Sequence, residues 1–116
     1  MQERKLLIQQ LRGADAGRHV LRLEGPLLMS TMDELYGIVR ADDSRLLIID
    51  CTRVPLIDSA GIGTLIAAYV NRQNSGRKLA LVGVNDRIRN SLKVAWVEQL
   101  FRFFDSVSAA ERSFEH

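Results

Sequence analysis

The sequence has 116 residues, 47% of them hydrophobic and 26% charged, which is the balance of a globular domain and excludes a disordered or fibrous chain. Sixteen basic and fourteen acidic residues give a net charge of +2, which is too small to favour nucleic acid as a partner. A single cysteine excludes an internal disulfide, and the longest uncharged stretch, 59–71, is too short to cross a bilayer, so we expect one cytoplasmic domain, 1–116, without direct membrane insertion.

The first third of the chain predicts two strands and a helix. Lys5–Leu11 and His19–Glu24 have the apolar content and rough alternation of strands. Ser30 and Thr31 are candidate N-caps, because each precedes an acidic residue by three positions, and the helix that follows extends at least to Val39.

The rest of the chain alternates strands with helices. The predicted elements are a strand at Leu46–Ile49, a helix from Ser59, a strand at Leu79–Val84, a helix from Asn85, a strand at Phe101–Phe104 and a short helix with Ser108 as its N-cap. The first of these strands is continuously apolar, as in a central strand covered on both faces. The order β-β-α-β-α-β-α-β-α, with a hairpin first and right-handed crossovers later, predicts an α/β sandwich with a mixed β-sheet.

The segment from Asp50 to Gly63 carries the candidate site, since it joins a buried strand to a helix through a polar loop. Ser59 lies where the free amides and the positive dipole of a helix N-terminus accommodate a phosphate. The alternative is that Ser59 or Asp58 serves only as an N-cap, and that Asp50 only accepts hydrogen bonds from loop amides at the strand end.

Patterns typical of enzymes are incomplete. The dinucleotide fingerprint lacks its third glycine, no Walker-type Gly-Lys-Ser/Thr occurs, and neither a Cys/His zinc cluster nor an EF-hand loop is present. The only histidines are His19, which we expect on the surface, and His116, so Ser59 has no evident base. One alternative remains open: a small enzyme or nucleotide-binding protein in which Asp50 and Asp58 form an acid–base pair or hold Mg²⁺. The sequence favours a protein that is not an enzyme and needs no cofactor or metal.

Residues 47–63 read Leu-Ile-Ile-Asp-Cys-Thr-Arg-Val-Pro-Leu-Ile-Asp-Ser-Ala-Gly-Ile-Gly. This segment resembles the signature of STAS domains, the family of bacterial anti-sigma factor antagonists. The predicted element order is also that of the family, so the resemblance covers nearly the whole chain and implies a STAS-type sandwich.

The resemblance also implies a mechanism. In antagonists of this family, the motif serine is phosphorylated by a serine kinase that also acts as the anti-sigma factor, and Ser59 is the matching residue. The unphosphorylated antagonist binds the kinase and displaces the sigma factor, phosphorylation breaks that complex, and a phosphatase restores it. Asp50 and Asp58 match acids of the motif and are predicted to shape the loop around Ser59. The expected partner-binding surface consists of Asp58, Ser59, Ala60, Ile62, Gly63 and Thr64.

A basic cluster has no place in this mechanism. Its members are Arg72, Arg77, Lys78, Arg87, Arg89 and Lys93, with Asp86 as the one acidic residue among them. We interpret the cluster as a solvated helical face; the alternatives are a surface for an acidic protein or, less favoured because no aromatic residue interleaves it, for nucleic acid. Trp96 and Phe101–Phe104 are predicted to lie in the core, with Trp96 on the same helical face as Ile88 and Leu92.

A second function stays open beside the antagonist. The domain can be an adaptor subunit of a membrane transport complex, in which Ser59 is only a cap. The identity of the binding partner distinguishes the two, because a kinase-fold partner indicates the switch and a transporter subunit indicates the adaptor.

Overall fold

A computed structural model describes residues 5–115. The strands are β1 Leu7–Arg12, β2 Arg18–Glu24, β3 Leu46–Arg53, β4 Lys78–Val82 and β5 Phe103–Phe104. The helices are α1 Met32–Ala41, α2 Ser59–Asn74, α3 Asp86–Val94 and α4 Val107–Ser113, with short 3-10 turns at Met29–Thr31 and Glu98–Leu100. Apart from these two turns, the order is the predicted β-β-α-β-α-β-α-β-α. Within the described residues no helix is both long and apolar enough to cross a membrane.

The strands form one mixed sheet in the order β1-β2-β3-β4-β5. β1 and β2 pair antiparallel as the predicted hairpin, with Leu11 opposite Val20, and all later neighbours are parallel. Because β3 and β4 are parallel, the loops that follow them lie at the same edge of the sheet. The start of α2 therefore lies at the carboxyl edge.

Alternate residues of the central strands enter two different cores. Leu47 and Ile49 of β3 pack with α1, α2 and α3, while Leu46 and Ile48 pack with Ala110 of α4 on the other face. The prediction that β3 is covered on both faces is thus confirmed. The apolar face of α2 also lies where it was expected, with Leu65 only 2% exposed.

The prediction that Trp96 belongs to the core is wrong. Its side chain is 83% exposed and its backbone has φ of 61°, in the left-handed region. The amides of Trp96 and Val97 bond back to the carbonyls of Lys93 and Leu92, so α3 ends in a Schellman turn with Trp96 at the position that glycine usually occupies. The turn rotates Trp96 away from the helix face and places Val97 against the core instead.

Two helix starts also differ from the prediction. Ser106, not Ser108, is the N-cap of α4, since its hydroxyl accepts a hydrogen bond from the amide of Ala109 at 3.0 Å. Thr31 is the residue before α1, but its hydroxyl accepts from the amide of Leu28 and so closes the preceding 3-10 turn instead of capping α1. Several polar residues near a helix start satisfy the same spacing rule, and tertiary packing selects among them.

One member of the basic cluster is buried, contrary to the predicted solvated face. Arg72 is 1% exposed, and its Nε donates to the carbonyl of Lys78 at 2.6 Å. Its two terminal nitrogens donate to the Asp42 carboxylate at 3.2 Å and to the carbonyl of Ser44. Burial lowers the pKa of Arg72, and the Asp42 charge acts against that shift. This guanidinium joins the end of α2 to the α1–β3 loop and the start of β4.

Asp42 connects the buried arginine to β2. Its second oxygen lies 2.6 Å from Nδ1 of His19, the half-buried second residue of that strand. Burial alone would raise the pKa of Asp42, but hydrogen bonds from Ser44 and His19 hold it below its ordinary value. Asp42 is therefore ionised opposite Arg72.

Candidate functional site

The loop between β3 and α2 is held against the segment after β2. The amide of Leu27 donates to the carbonyl of Leu56, and the amide of Asp58 donates to the carbonyl of Leu27, both at 3.0 Å. These bonds form a short parallel bridge between Leu27 and Ile57. The position at which α2 begins is thus fixed by main-chain bonds on both sides.

Asp58 is the N-cap of α2 and also binds the neighbouring loop. One carboxylate oxygen accepts from the amide of Gly61 at 3.0 Å, and the other accepts from the amide of Met29 at 3.0 Å. The hydrogen bonds from Met29 and Gly61 hold the pKa of Asp58 below its ordinary value. This carboxylate joins two segments that are far apart in the chain.

Ser59 is the first residue of α2, and its side chain is exposed. Within residues 5–115 its hydroxyl takes part in no hydrogen bond. The hypothesis that Ser59 is itself the cap is therefore wrong, since Asp58 holds that position. The hydroxyl points into solvent at the positive end of the α2 dipole.

The two glycines of the motif have different roles. A Cβ on Gly61 would lie 2.5 Å from both the carbonyl oxygen of Leu27 and Cγ1 of Ile57, so only glycine allows α2 to approach the bridge this closely. A Cβ on Gly63 would meet nothing within 4 Å. Gly61 is a packing requirement, whereas Gly63 leaves open space on the outer surface of α2.

The six residues of the expected partner-binding surface lie together on the first two turns of α2. Ser59 and Gly63 are exposed, and the other four are partly buried. Thr64 donates its hydroxyl proton to the carbonyl of Ala60 at 3.0 Å, so this hydroxyl is already bonded within α2. This surface is small and mostly uncharged, and at its centre lies the Ser59 hydroxyl, which has no partner in the described part of the chain.

The structure does not bring Asp50 to this surface. Its carboxylate accepts from the amide and hydroxyl of Thr52, at 3.0 Å and 2.6 Å, and lies 3.7 Å from Nε of Arg22. Since neighbouring residues of a strand point to opposite faces, Asp50 lies on the α4 side of the sheet with Ile48. Its contacts stabilise the end of β3 and not the loop beside Ser59.

This separation weighs against a shared acid–base or Mg²⁺ site for Asp50 and Asp58. The two carboxylates have different hydrogen-bond partners on different sides of the sheet. Within residues 5–115 no three His, Cys, Asp or Glu side chains lie close enough together to hold a metal ion.

Sequence reasoning missed two neighbours of Ser59. Met29 is 76% exposed and lies beside the site because its amide binds Asp58. A groove of about 140 Å³ between α1 and α2 continues from Thr64 and is lined by Tyr36, Arg40 and Asn71. Neither feature has a local sequence signal, because both depend on the packing of residues 27–40 against α2.

Removing the Asp58 carboxylate is expected to destabilise the site in a pH-dependent manner. At pH 7, Asp58→Ala should lower the free energy of unfolding by about 1 kcal/mol, while Asp58→Asn, which keeps one acceptor, should cost less. Because the folded pKa of Asp58 is lowered, its contribution is fully present above the unfolded value of about 3.9 and is lost as the pH falls through the folded pKa. Urea denaturation at pH 7 and pH 2.5 checks this, and an Asp58→Ala cost that is equal at both would contradict the described cap.

A comparison with protein families matches residues 8–110 to the model described as STAS domain. Among solved structures, a sulfate transporter family protein from Wolinella succinogenes is 26% identical, with 88% of each chain covered and a TM-score of 0.75. An anti-sigma factor antagonist from Mycobacterium paratuberculosis is 22% identical over 92% of this chain and 93% of its own, with a TM-score of 0.74. The Bacillus cell fate determinant SpoIIAA in its phosphorylated form is 14% identical over 92% of this chain and 99% of its own, with a TM-score of 0.72. These matches confirm the predicted sandwich.

Proposed function

The chain belongs to the STAS domain family, and from that membership we propose that it is an anti-sigma factor antagonist in a partner-switching pathway. In this proposal the unphosphorylated protein binds an anti-sigma factor serine kinase, phosphorylation of Ser59 releases it, and a phosphatase acting on phosphorylated Ser59 restores binding. The protein is a substrate and a binding module in the cytoplasm, and it is not an enzyme.

The observation that carries the proposal is the setting of Ser59. Its hydroxyl is exposed at the first position of α2 and has no hydrogen-bond partner among residues 5–115, and Asp58 is the N-cap of that helix. A kinase can therefore reach the hydroxyl without unwinding the helix or breaking a cap. The likeness to SpoIIAA in its phosphorylated form supports a fold that persists when a phosphate is present.

A partner docked on this surface would cover Ser59 directly. Gly63 leaves room for a partner side chain, and exposed Met29, whose amide binds Asp58, supplies an adaptable apolar contact near the start of α2. Large exposed apolar side chains next to a small uncharged patch suit a protein interface. We therefore place Met29 at the edge of the interface, next to the six residues that the motif predicts.

Phosphorylation at this position opposes such a complex electrostatically. The phosphate adds about −1.5 to −2 charges next to the ionised carboxylate of Asp58. That carboxylate already accepts a hydrogen bond from the amide of Gly61, so the phosphate and Asp58 must share the amide donors at the start of α2. A partner that desolvates both groups meets a penalty; if this is about 3 kcal/mol, its affinity falls about a hundredfold.

The site of phosphorylation tests the proposal. Incubated with ATP and a kinase-fold protein captured from cell extract by the Ser59→Ala variant, the wild-type protein is expected to gain one phosphate, on Ser59, as located by mass spectrometry. Ser108→Ala is the matched control, since Ser108 is also exposed in the first turn of a helix and its removal should leave incorporation unchanged. A phosphate on another serine, with Ser59 unmodified, would refute the assignment.

A second candidate function is supported by the likeness to the Wolinella protein of the sulfate transporter family. In that alternative the domain is an adaptor subunit of a membrane transport complex and Ser59 has no regulatory role. Capture of a transport protein with equal efficiency by wild type, Ser59→Ala and Ser59→Asp would favour the adaptor.

A further inference from the structure

A second concave surface lies at the end of α2 opposite Ser59. Since α2 has 16 residues, the two ends are about 24 Å apart. The surface is a groove of about 190 Å³ between the last turn of α2, the start of β4 and the segment from Leu100 to Phe114. We call it the basic groove, and its accessible lining includes Tyr69, Gln73, Arg77, Lys78, Arg102 and Phe114.

The basic groove holds positive charge that no described residue, within 5–115, neutralises. Within residues 5–115, no carboxylate lines it, and none of Arg77, Lys78 and Arg102 forms an ion pair. Other members of the basic cluster are paired, since Arg89 and Lys93 lie 2.8 Å and 3.9 Å from the carboxylate of Glu98. Unpaired cations that converge on one concavity create a favourable potential for an anion.

One of these cations is already oriented. The guanidinium of Arg102 lies 4.4 Å from the centre of the Phe114 ring, and its Nη2 donates to the hydroxyl of Ser113 at 2.7 Å. Stacking and hydrogen bonding reduce the freedom that the side chain loses on binding an anion. Arginine also offers planar paired donors that match phosphate oxygens.

Aromatic side chains stand beside the cations. Tyr69 and Phe114 are half-buried lining residues, and Tyr69 is held by an edge-to-face contact with Phe101 at 6.0 Å between ring centres. No aromatic residue interleaves the basic cluster in the sequence, and folding supplies these rings from α2 and from the end of the chain. The groove therefore combines sites for an anionic group and for a flat apolar group.

We propose that the basic groove binds a small organic phosphate. The phosphate contacts Arg77, Lys78 and Arg102, and an aromatic or other apolar part of the ligand packs against Tyr69 and Phe114. The volume of about 190 Å³ is below the usual range for drug-sized ligands, which fits a phosphate with one ring and not a nucleic acid strand. The groove lies at the far end of α2 from Ser59, so this proposed site is separate from the proposed site of phosphorylation.

Titration of ¹⁵N-labelled protein with phenyl phosphate, inorganic phosphate and phenol at constant ionic strength tests this proposal. We expect phenyl phosphate to shift the amide signals of residues 77–79 and 102, and to bind at least threefold more tightly than inorganic phosphate; phenol alone should shift none of them. Arg77→Gln/Lys78→Gln should weaken phenyl phosphate at least tenfold. Arg87→Gln is the control, because it also replaces one positive charge with a neutral side chain but at an exposed position on α3, away from the groove. The affinity of this variant for phenyl phosphate should stay within twofold of the wild-type value.

Three results would overturn the proposal. One is that signal shifts are confined to residues 59–61, where a helix N-terminus also attracts anions. The others are equal affinities for phenyl phosphate and inorganic phosphate, and an unchanged affinity of the double variant for phenyl phosphate. If the double variant does not fold, Arg102→Gln removes a cation from the other wall. That variant should then weaken binding at least threefold, and unchanged affinity would equally contradict the proposal.

Discussion

Replacing Arg72 with alanine is expected to lower the free energy of unfolding by about 3–5 kcal/mol, measured by urea denaturation. The guanidinium is 1% exposed and is the donor to the Asp42 carboxylate and to the carbonyls of Ser44 and Lys78. Its removal leaves a largely buried negative charge and two inward carbonyls without these partners, and each such group costs free energy. The effect should be among the largest of any single substitution in this domain.

Arg87→Ala provides the matched control for that measurement. Arg87 carries the same charge on an exposed face of α3, so its loss should change the free energy of unfolding by no more than about 0.5 kcal/mol. An Arg72→Ala cost below about 1 kcal/mol would mean that water already replaces the described hydrogen bonds.

Most of the fold could be predicted because its central elements have strong local patterns. The apolar run of β3 and the spacing of Leu65 with its neighbours on α2 each specify both an element and the face that it buries. The end of α2 has a local signal as well, because Gly76 follows it with a left-handed φ of 69°, a conformation that glycine adopts readily.

Arg72 and Trp96 were mispredicted for a common physical reason. Residue type predicts an exposed arginine and a buried tryptophan, but the environment of each is set by contacts between distant segments. Arg72 is buried because Asp42 and two carbonyls supply partners 6 to 30 positions away in the chain. Trp96 is exposed because the turn after α3 directs the partly buried Val97, and not Trp96, against the core.

The candidate site was predictable in its centre and not at its edges. The motif located Ser59 and Asp58 at the helix start, but spacing alone could not decide which of them is the cap. The motif also includes Asp50, yet the alternation of strand side chains places this residue on the α4 face of the sheet. Met29 had no sequence signal, since it reaches the site only through the bridge between Leu27 and Ile57.

Substitutions at Ser59 should separate fold stability from partner binding. Ser59→Ala removes an exposed, unbonded hydroxyl, so it should change the free energy of unfolding by less than about 0.5 kcal/mol and retain kinase binding. Ser59→Asp adds a charge that the helix dipole favours by about 0.3–1 kcal/mol, so its fold should also stay stable. The affinity of Ser59→Asp for the kinase should nevertheless fall at least tenfold. Ser108→Asp is the control, since it makes the same change at another helix start, and it should bind the kinase like wild type.

Loss of stability and affinity together in Ser59→Asp would argue that the substitution damages the fold and does not imitate a switch. If Ser59→Asp binds the kinase as tightly as wild type, the phosphorylated protein itself decides between the two functions, because a carboxylate carries less charge and fewer acceptor oxygens than a phosphate.

The most direct measurement is the affinity of the captured kinase, made catalytically inactive, for unphosphorylated protein and for protein stoichiometrically phosphorylated on Ser59. Isothermal titration calorimetry should show binding of the unphosphorylated form and about a hundredfold weaker binding of the phosphorylated form, the equivalent of about 3 kcal/mol. Equal affinities for the two forms would contradict the switch and favour the adaptor.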